Sequence, residues 1–154
     1  MDFSHVNEQG RARMADVTDK AETYRTAVAA GTVKVAPQTM TLIKSGGIKK
    51  GDVLSVAQVA GIMAAKKTPE IIPMCHPLAI SSADIRFTLT DREIHIEAEI
   101  KCRGVTGVEM EALTAVSAAA LTVYDMCKSV QRDIEITDIM LLSKSGGKSG
   151  EFKR

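Results

Sequence analysis

The chain has 154 residues, 45% of them hydrophobic and 25% charged, the size and composition of one globular domain with a single core. Twenty basic residues face nineteen acidic ones, a net charge of +1, so no global field draws the protein to nucleic acid or to an anionic membrane. Cys75, Cys102 and Cys127 are odd in number, widely spaced and form no C-x-x-C pair, which speaks against a disulfide framework and a structural zinc and reads as reduced thiols in a cytoplasmic protein.

The first 22 residues are polar and unpatterned, too polar at MDFSHVNEQGRARM for a signal peptide, and read as an arm ordered by packing on something else. Tyr24 to Val35 is ambiguous between helix and strand, although Gly31 and the alternating Val33 and Val35 favour an extended ending. Pro37 at a first helical position and Gly46-Gly47 at a helix end bound a short helix, Pro37 to Ser45. A loop with Lys49 and Lys50 leads to Asp52 or Ser55, either of which can cap a second helix running to Lys66 and Lys67. Its expected inner face is Val56, Val59, Ala60 and Met63.

Three prolines in TPEIIPMCHPL, Thr68 to Leu78, predict a rigid extended segment rather than a helix. Ala83 to Thr90 and Glu93 to Lys101 alternate with period two and predict a hairpin about Asp91-Arg92. Thr106 to Ser129 predicts the longest helix, uncharged from Ala115 to Val123 and uninterrupted by Pro or Gly from Val108. Ile134 to Leu142 reads as a strand, followed by a flexible Gly/Lys-rich tail over 144–154. The order strand, helices, strand, strand, helix, strand is that of a ferredoxin-like α+β sandwich, an antiparallel sheet packed by helices, over residues 23–143.

Chemistry concentrates at the ends of the long helix. Glu109 and Asp125 are about 24 Å apart along its axis and roughly 160° apart around it, so one chain cannot bring them into one site and a second copy would have to. Acidic starts and basic ends are also what an ordinary helix dipole favours, and an exposed pair of Asp125 with Lys128 needs no function. His76, held between Cys75 and Pro77, is the best-positioned of three histidines, which have no metal-ligand spacing. The tail KSGGKSG lacks the leading glycine and the following helix of a phosphate-binding P-loop, though its glycines and Lys144 and Lys148 can present N–H groups and charge to phosphates.

Five segments in order, MADV (14–17), KKGDV (49–53), MCHPL (74–78), GVEMEALTAVSAAALTVYDMCK (107–128) and KSGGKSG (144–150), resemble the molybdenum cofactor biosynthesis protein C family, the cyclic pyranopterin monophosphate synthases. The resemblance implies a cytoplasmic lyase converting 3′,8-cyclo-7,8-dihydro-GTP to cyclic pyranopterin monophosphate with release of pyrophosphate. It implies a ferredoxin-like subunit in a homohexamer, a trimer of dimers, with active sites between subunits. No cofactor is required; a divalent ion accompanying the triphosphate is left open, and no metal site is expected. By the same resemblance Asp125, Lys128 and Lys50 are catalytic, Met74, Cys75, His76, Met110 and Glu111 bind substrate with Glu109 close by, and Lys66, Lys67 and Lys144 form the triphosphate side. The alternative from another class is a non-catalytic oligomeric nucleotide-binding module.

Overall fold

The structure, a computed structural model, describes residues 5–154. Residues 1–4 of the expected N-terminal arm lie outside the described residues. The elements are β1 (Thr23–Lys34), α1 (Pro37–Ser45), α2 (Val53–Lys66), α3 (Thr68–Ile71), β2 (Ile80–Leu89), β3 (Glu93–Gly104), α4 (Glu109–Cys127), β4 (Glu135–Ser145) and β5 (Phe152–Lys153). The strands form one antiparallel sheet in the order β2-β3-β1-β4-β5, the ferredoxin-like topology with one added edge strand.

The ambiguous segment is strand β1, and its partners decide it. Two neighbours, β3 and β4, satisfy its backbone, and its small residues Ala27, Ala29 and Gly31 point at α4. A Cβ at Gly31 would overlap the Val116 side chain, so the glycine is what lets the helix lie close on the centre of the sheet. Ile94, Ile96, Ala98, Ile100 and Cys102 of β3 alternate into the same layer and are fully buried against Ala112, Ala115, Val116, Ala119 and Val123 of α4. The hairpin turn is at Asp91-Arg92, with Thr90 N–H bonded to Glu93 O.

Three expectations are corrected. The first concerns α2, which buries Val53, Ala57, Gly61 and Ala65, while Val56, Val59 and Met63 are 45%, 57% and 53% exposed. The helix is apolar on both faces, so hydrophobicity does not choose between them. Size does: Gly61 sits against Ala115 O and the Ala119 methyl, an approach that larger side chains would forbid. The second concerns Thr68 to Leu78, which opens with one helical turn, α3. Pro69 is tolerated there because a first-turn residue needs no N–H partner, and buried Thr68 donates its hydroxyl to Ala64 O and Ala65 O. The third concerns the tail, which turns back instead of hanging free. Lys144 and Ser143 pair with Phe152 and Lys153, and Arg154 N–H donates to Leu142 O.

Candidate active site

At the C-terminal end of α4, Asp125 is held between two lysines. Lys128, one turn on, reaches Oδ1 at 2.7 Å, and Lys50 reaches Oδ2 at 2.8 Å and the Asp125 backbone carbonyl at 2.9 Å. Lys50 arrives from the far side of the sequence because the Ile48–Gly51 turn, with Gly51 at φ 104°, feeds the chain into the Asp52 cap of α2. Asp52 accepts from both the amide and the hydroxyl of Ser55, which anchors that corner. The two lysines hold the Asp125 carboxyl well below the usual carboxylate range, to about 2. Its carboxylate returns the favour by raising Lys128 above the ordinary lysine value.

At the other end of α4, two cavities adjoin. The first, about 510 Å³, is lined by Met74, Cys75 and His76 on one side and Glu109, Met110 and Glu111 on the other. The rigid loop owes its place to Pro73 and Pro77 and to a turn closed by Cys75 N–H on Ile72 O. The N-terminal arm covers this cavity: His76 Nε2 lies 2.7 Å from Ala15 O, and Ala15, Asp16 and Val17 join the lining. Glu111 is only 3% exposed, and burial, reinforced by the charge of Glu109, raises its pKa above the ordinary value of 4.5. Burial and the Glu111 charge together push the Cys75 thiol up as well. The second cavity, about 720 Å³, is lined by Arg25, Lys144 and the Gly146–Gly147 loop, and shares Lys20, Thr106, Gly107 and Glu109 with the first.

A family model described as the MoaC family matches residues 14–147. The chain belongs to the MoaC family. A cyclic pyranopterin monophosphate synthase of Peptoclostridium acidaminophilum is 58% identical over 154 residues, covering 100% of this chain and 98% of that protein. Proteins of the same name from Thermoanaerobacter sp. strain X514 and Bacillus subtilis strain 168 are 59% and 55% identical over 156 residues. The matches cover 100% and 99% of this chain and 99% and 92% of those proteins.

Within this MoaC-family chain the expected site residues fall into two groups. Lys50, Asp125 and Lys128 meet at one end of α4; Met74, Cys75, His76, Glu109, Met110 and Glu111 meet at the other, with Lys144 next door. Lys66 and Lys67 line neither cavity. They are exposed where α2, running antiparallel to α4, ends beside the N-terminal end of that helix. No sharp interruption shortens α4, so about 24 Å of helix separates Glu109 from Asp125 at ~1.5 Å per residue. Sequence reasoning missed Arg25, whose Nε and Nη2 donate to Gly104 O and Val105 O, and Lys20 in the arm. Nothing local marks either; Arg25 lies in the segment whose secondary structure the pattern left open. Among the described residues, no group of three or more His, Cys, Asp or Glu side chains is arranged to hold a metal ion, and no helix is long and apolar enough to cross a membrane.

Proposed function

We propose that the protein is a cytoplasmic lyase of molybdenum cofactor biosynthesis that converts 3′,8-cyclo-7,8-dihydro-GTP to cyclic pyranopterin monophosphate and pyrophosphate, without a resident cofactor. The observation that carries the reading is identity over the full length to synthases of that name. The residues supply the chemistry such a conversion demands. Rearranging a purine into a pterin takes several proton transfers, for which Lys50 and Lys128 are donors and acceptors and Asp125 the ionised partner that both contact. Closing the cyclic phosphate takes attack of a hydroxyl on the α-phosphorus as pyrophosphate leaves, and cations such as Lys144 stabilise the departing charge.

The two groups act in one site only if they come from two chains. We read the active site as composite, the Asp125 end of α4 from one subunit facing the His76 and Glu111 end of another, in a homohexamer built as a trimer of dimers. The apolar stripe of Val56, Val59 and Met63, left exposed by α2, supports contact with a further copy. Such contact also answers a question the single chain raises. Lys128 is half-exposed and the Asp125 carboxylate raises its pKa above the ordinary lysine value; exclusion of water by a partner surface would disfavour its charge and act in the opposite direction.

The test gives the purified protein the cyclised dihydro-GTP in the absence of any radical enzyme and measures pterin and pyrophosphate. Both are expected in equal amounts, with Lys128→Ala and Glu111→Gln each inactive. Mixing the two inactive variants through dissociation and reassembly is expected to restore part of the activity, because some interfaces then carry both intact halves. Tight binding without product would favour the nucleotide-binding module, and no rescue on mixing would refute the composite site.

A further inference from the structure

The two cavities at the start of α4 meet along Lys20, Thr106, Gly107 and Glu109. Glu109 lines both, yet its Oε1 accepts from Lys144 Nζ at 2.9 Å, on the side of the larger cavity. Lys144 is held there by a second bond, to Ser149 Oγ at 2.8 Å, and the ion pair is mostly buried, with side chains 23% and 26% exposed. The carboxylate folds back over Gly107, where any Cβ would collide with it. Around this pair the larger cavity is built for an anion. Arg25 projects into it with both of its bonds spent on backbone carbonyls and, among the described residues, no carboxylate in ion-pair reach. Gly146 and Gly147, at φ 96° and 77°, line it as well, and a Cβ on Gly147 would collide with the Arg25 guanidinium. Lys20 and Lys148 complete a lining of four cations against two carboxylates, Asp19 and Glu109. One of those carboxylates, Glu109, is already paired with one of the cations, Lys144.

Resting on the reading above, we infer that Glu109 is an exchangeable counter-ion for Lys144, displaced by the polyphosphate of the substrate and returning to expel pyrophosphate. The first cavity, about 510 Å³ and also lined by Glu109, offers the carboxylate a second position. Arg25 is the fixed anchor and Lys144 the contested one. The arrangement lowers affinity for the leaving group in favour of its release, while Lys144 keeps its position when no phosphate is present. Glu109 is thus a positioning residue for Lys144, distinct from the groups that move protons.

The measurement is calorimetric titration of the full-length protein with inorganic pyrophosphate, for the natural sequence, Glu109→Gln, Gly107→Ala, Lys144→Ala and the Glu109→Gln/Lys144→Ala pair. Removing the competitor by Glu109→Gln, or crowding it off Lys144 by Gly107→Ala, is expected to tighten pyrophosphate by roughly fivefold, the upper end for an ion pair of this exposure. The gain is expected to vanish when Lys144 is absent. A merely structural role for Glu109 predicts the opposite, weaker binding. Equal or weaker binding by Glu109→Gln, or a gain that survives Lys144→Ala, overturns the exchange. If the unaltered protein releases pyrophosphate from the cyclised dihydro-GTP while either result holds, only the exchange falls; if it releases none, the functional reading falls and takes the exchange with it.

Discussion

Gly61→Ala is the substitution whose sign tests the packing most sharply. In an isolated helix the change is favourable by about 1 kcal/mol, because alanine loses less freedom than glycine on becoming helical. Here the new methyl would overlap Ile85 Cδ1 and stand 3.0 Å from the Ala115 carbonyl oxygen, with Ala119 Cβ at 3.5 Å. Ile85 is 2% exposed and its terminal methyl has little room to turn away; the Ala115 carbonyl belongs to α4 and yields only if the helices part. Overpacking of this kind costs about 1–3 kcal/mol, which outweighs the propensity gain and leaves a net loss of about 1 kcal/mol. For a domain of this length that is a fall of roughly 2–4 °C in Tm. Because Lys50 lies three residues before α2, just ahead of its Asp52 cap, parting the helices also lengthens the 2.8 Å contact of Lys50 with Asp125, so turnover falls with stability. Thermal unfolding and the rate of pyrophosphate release, both measured beside an exposed control such as Gln58→Ala, check the argument. A higher Tm for Gly61→Ala would refute the close approach of α2 to α4 on which the placement of Lys50 depends.

Asp125→Asn is expected to abolish most turnover with little change in Tm near neutral pH, because the three groups are half-exposed; comparable losses of both would assign Asp125 a structural role. The depressed pKa of Asp125 stabilises the fold above its ordinary value of 3.8, and that contribution disappears as pH falls toward about 2. The acid limb of a stability–pH curve is therefore shallower in Asp125→Asn than in the natural protein, and identical limbs would count against the lysine bracket. Glu111 works in the opposite sense. Its raised pKa means that the folded state resists ionisation, so stability is lost as pH rises above 4.5. Glu111→Gln is expected to raise Tm at pH 7, by a margin that shrinks as the pH is lowered toward 4.5, while losing activity; a lower Tm at pH 7 would show that the carboxylate has a stabilising partner. Val59→Glu, placed on the exposed stripe of α2, is expected to shift the mass in solution toward smaller assemblies without unfolding the subunit, and an unchanged mass would remove that stripe from the subunit contact.

Much of the molecule is legible in its sequence because the relevant signals are local. Pro37 and Gly46 bound α1 through rules that involve only neighbouring residues, the period-two alternation of Ile94, Ile96, Ala98 and Ile100 declares β3, and the uncharged run from Ala115 to Val123 declares the buried centre of α4. The order of these elements fixes the topology, since a strand–helix–strand–strand–helix–strand chain has few ways to cover one antiparallel sheet. The opposition of Glu109 and Asp125 is equally a sequence property: helix geometry alone puts them at opposite ends. What the local pattern leaves open is every choice settled by a distant surface. Tyr24 to Val35 becomes a strand because β3 and β4 supply its hydrogen bonds, and α2 turns its glycine and alanines inward because α4 demands a close approach that hydrophobicity cannot rank. Lys50 meets Asp125 across 75 residues, the arm reaches His76 across 61, and Glu109 meets Lys144 only through the packing of α4 against β4, near whose end Lys144 lies. Such pairs depend on how close and at what angle whole elements pack, and no stretch of the chain short enough to carry a periodicity contains that information.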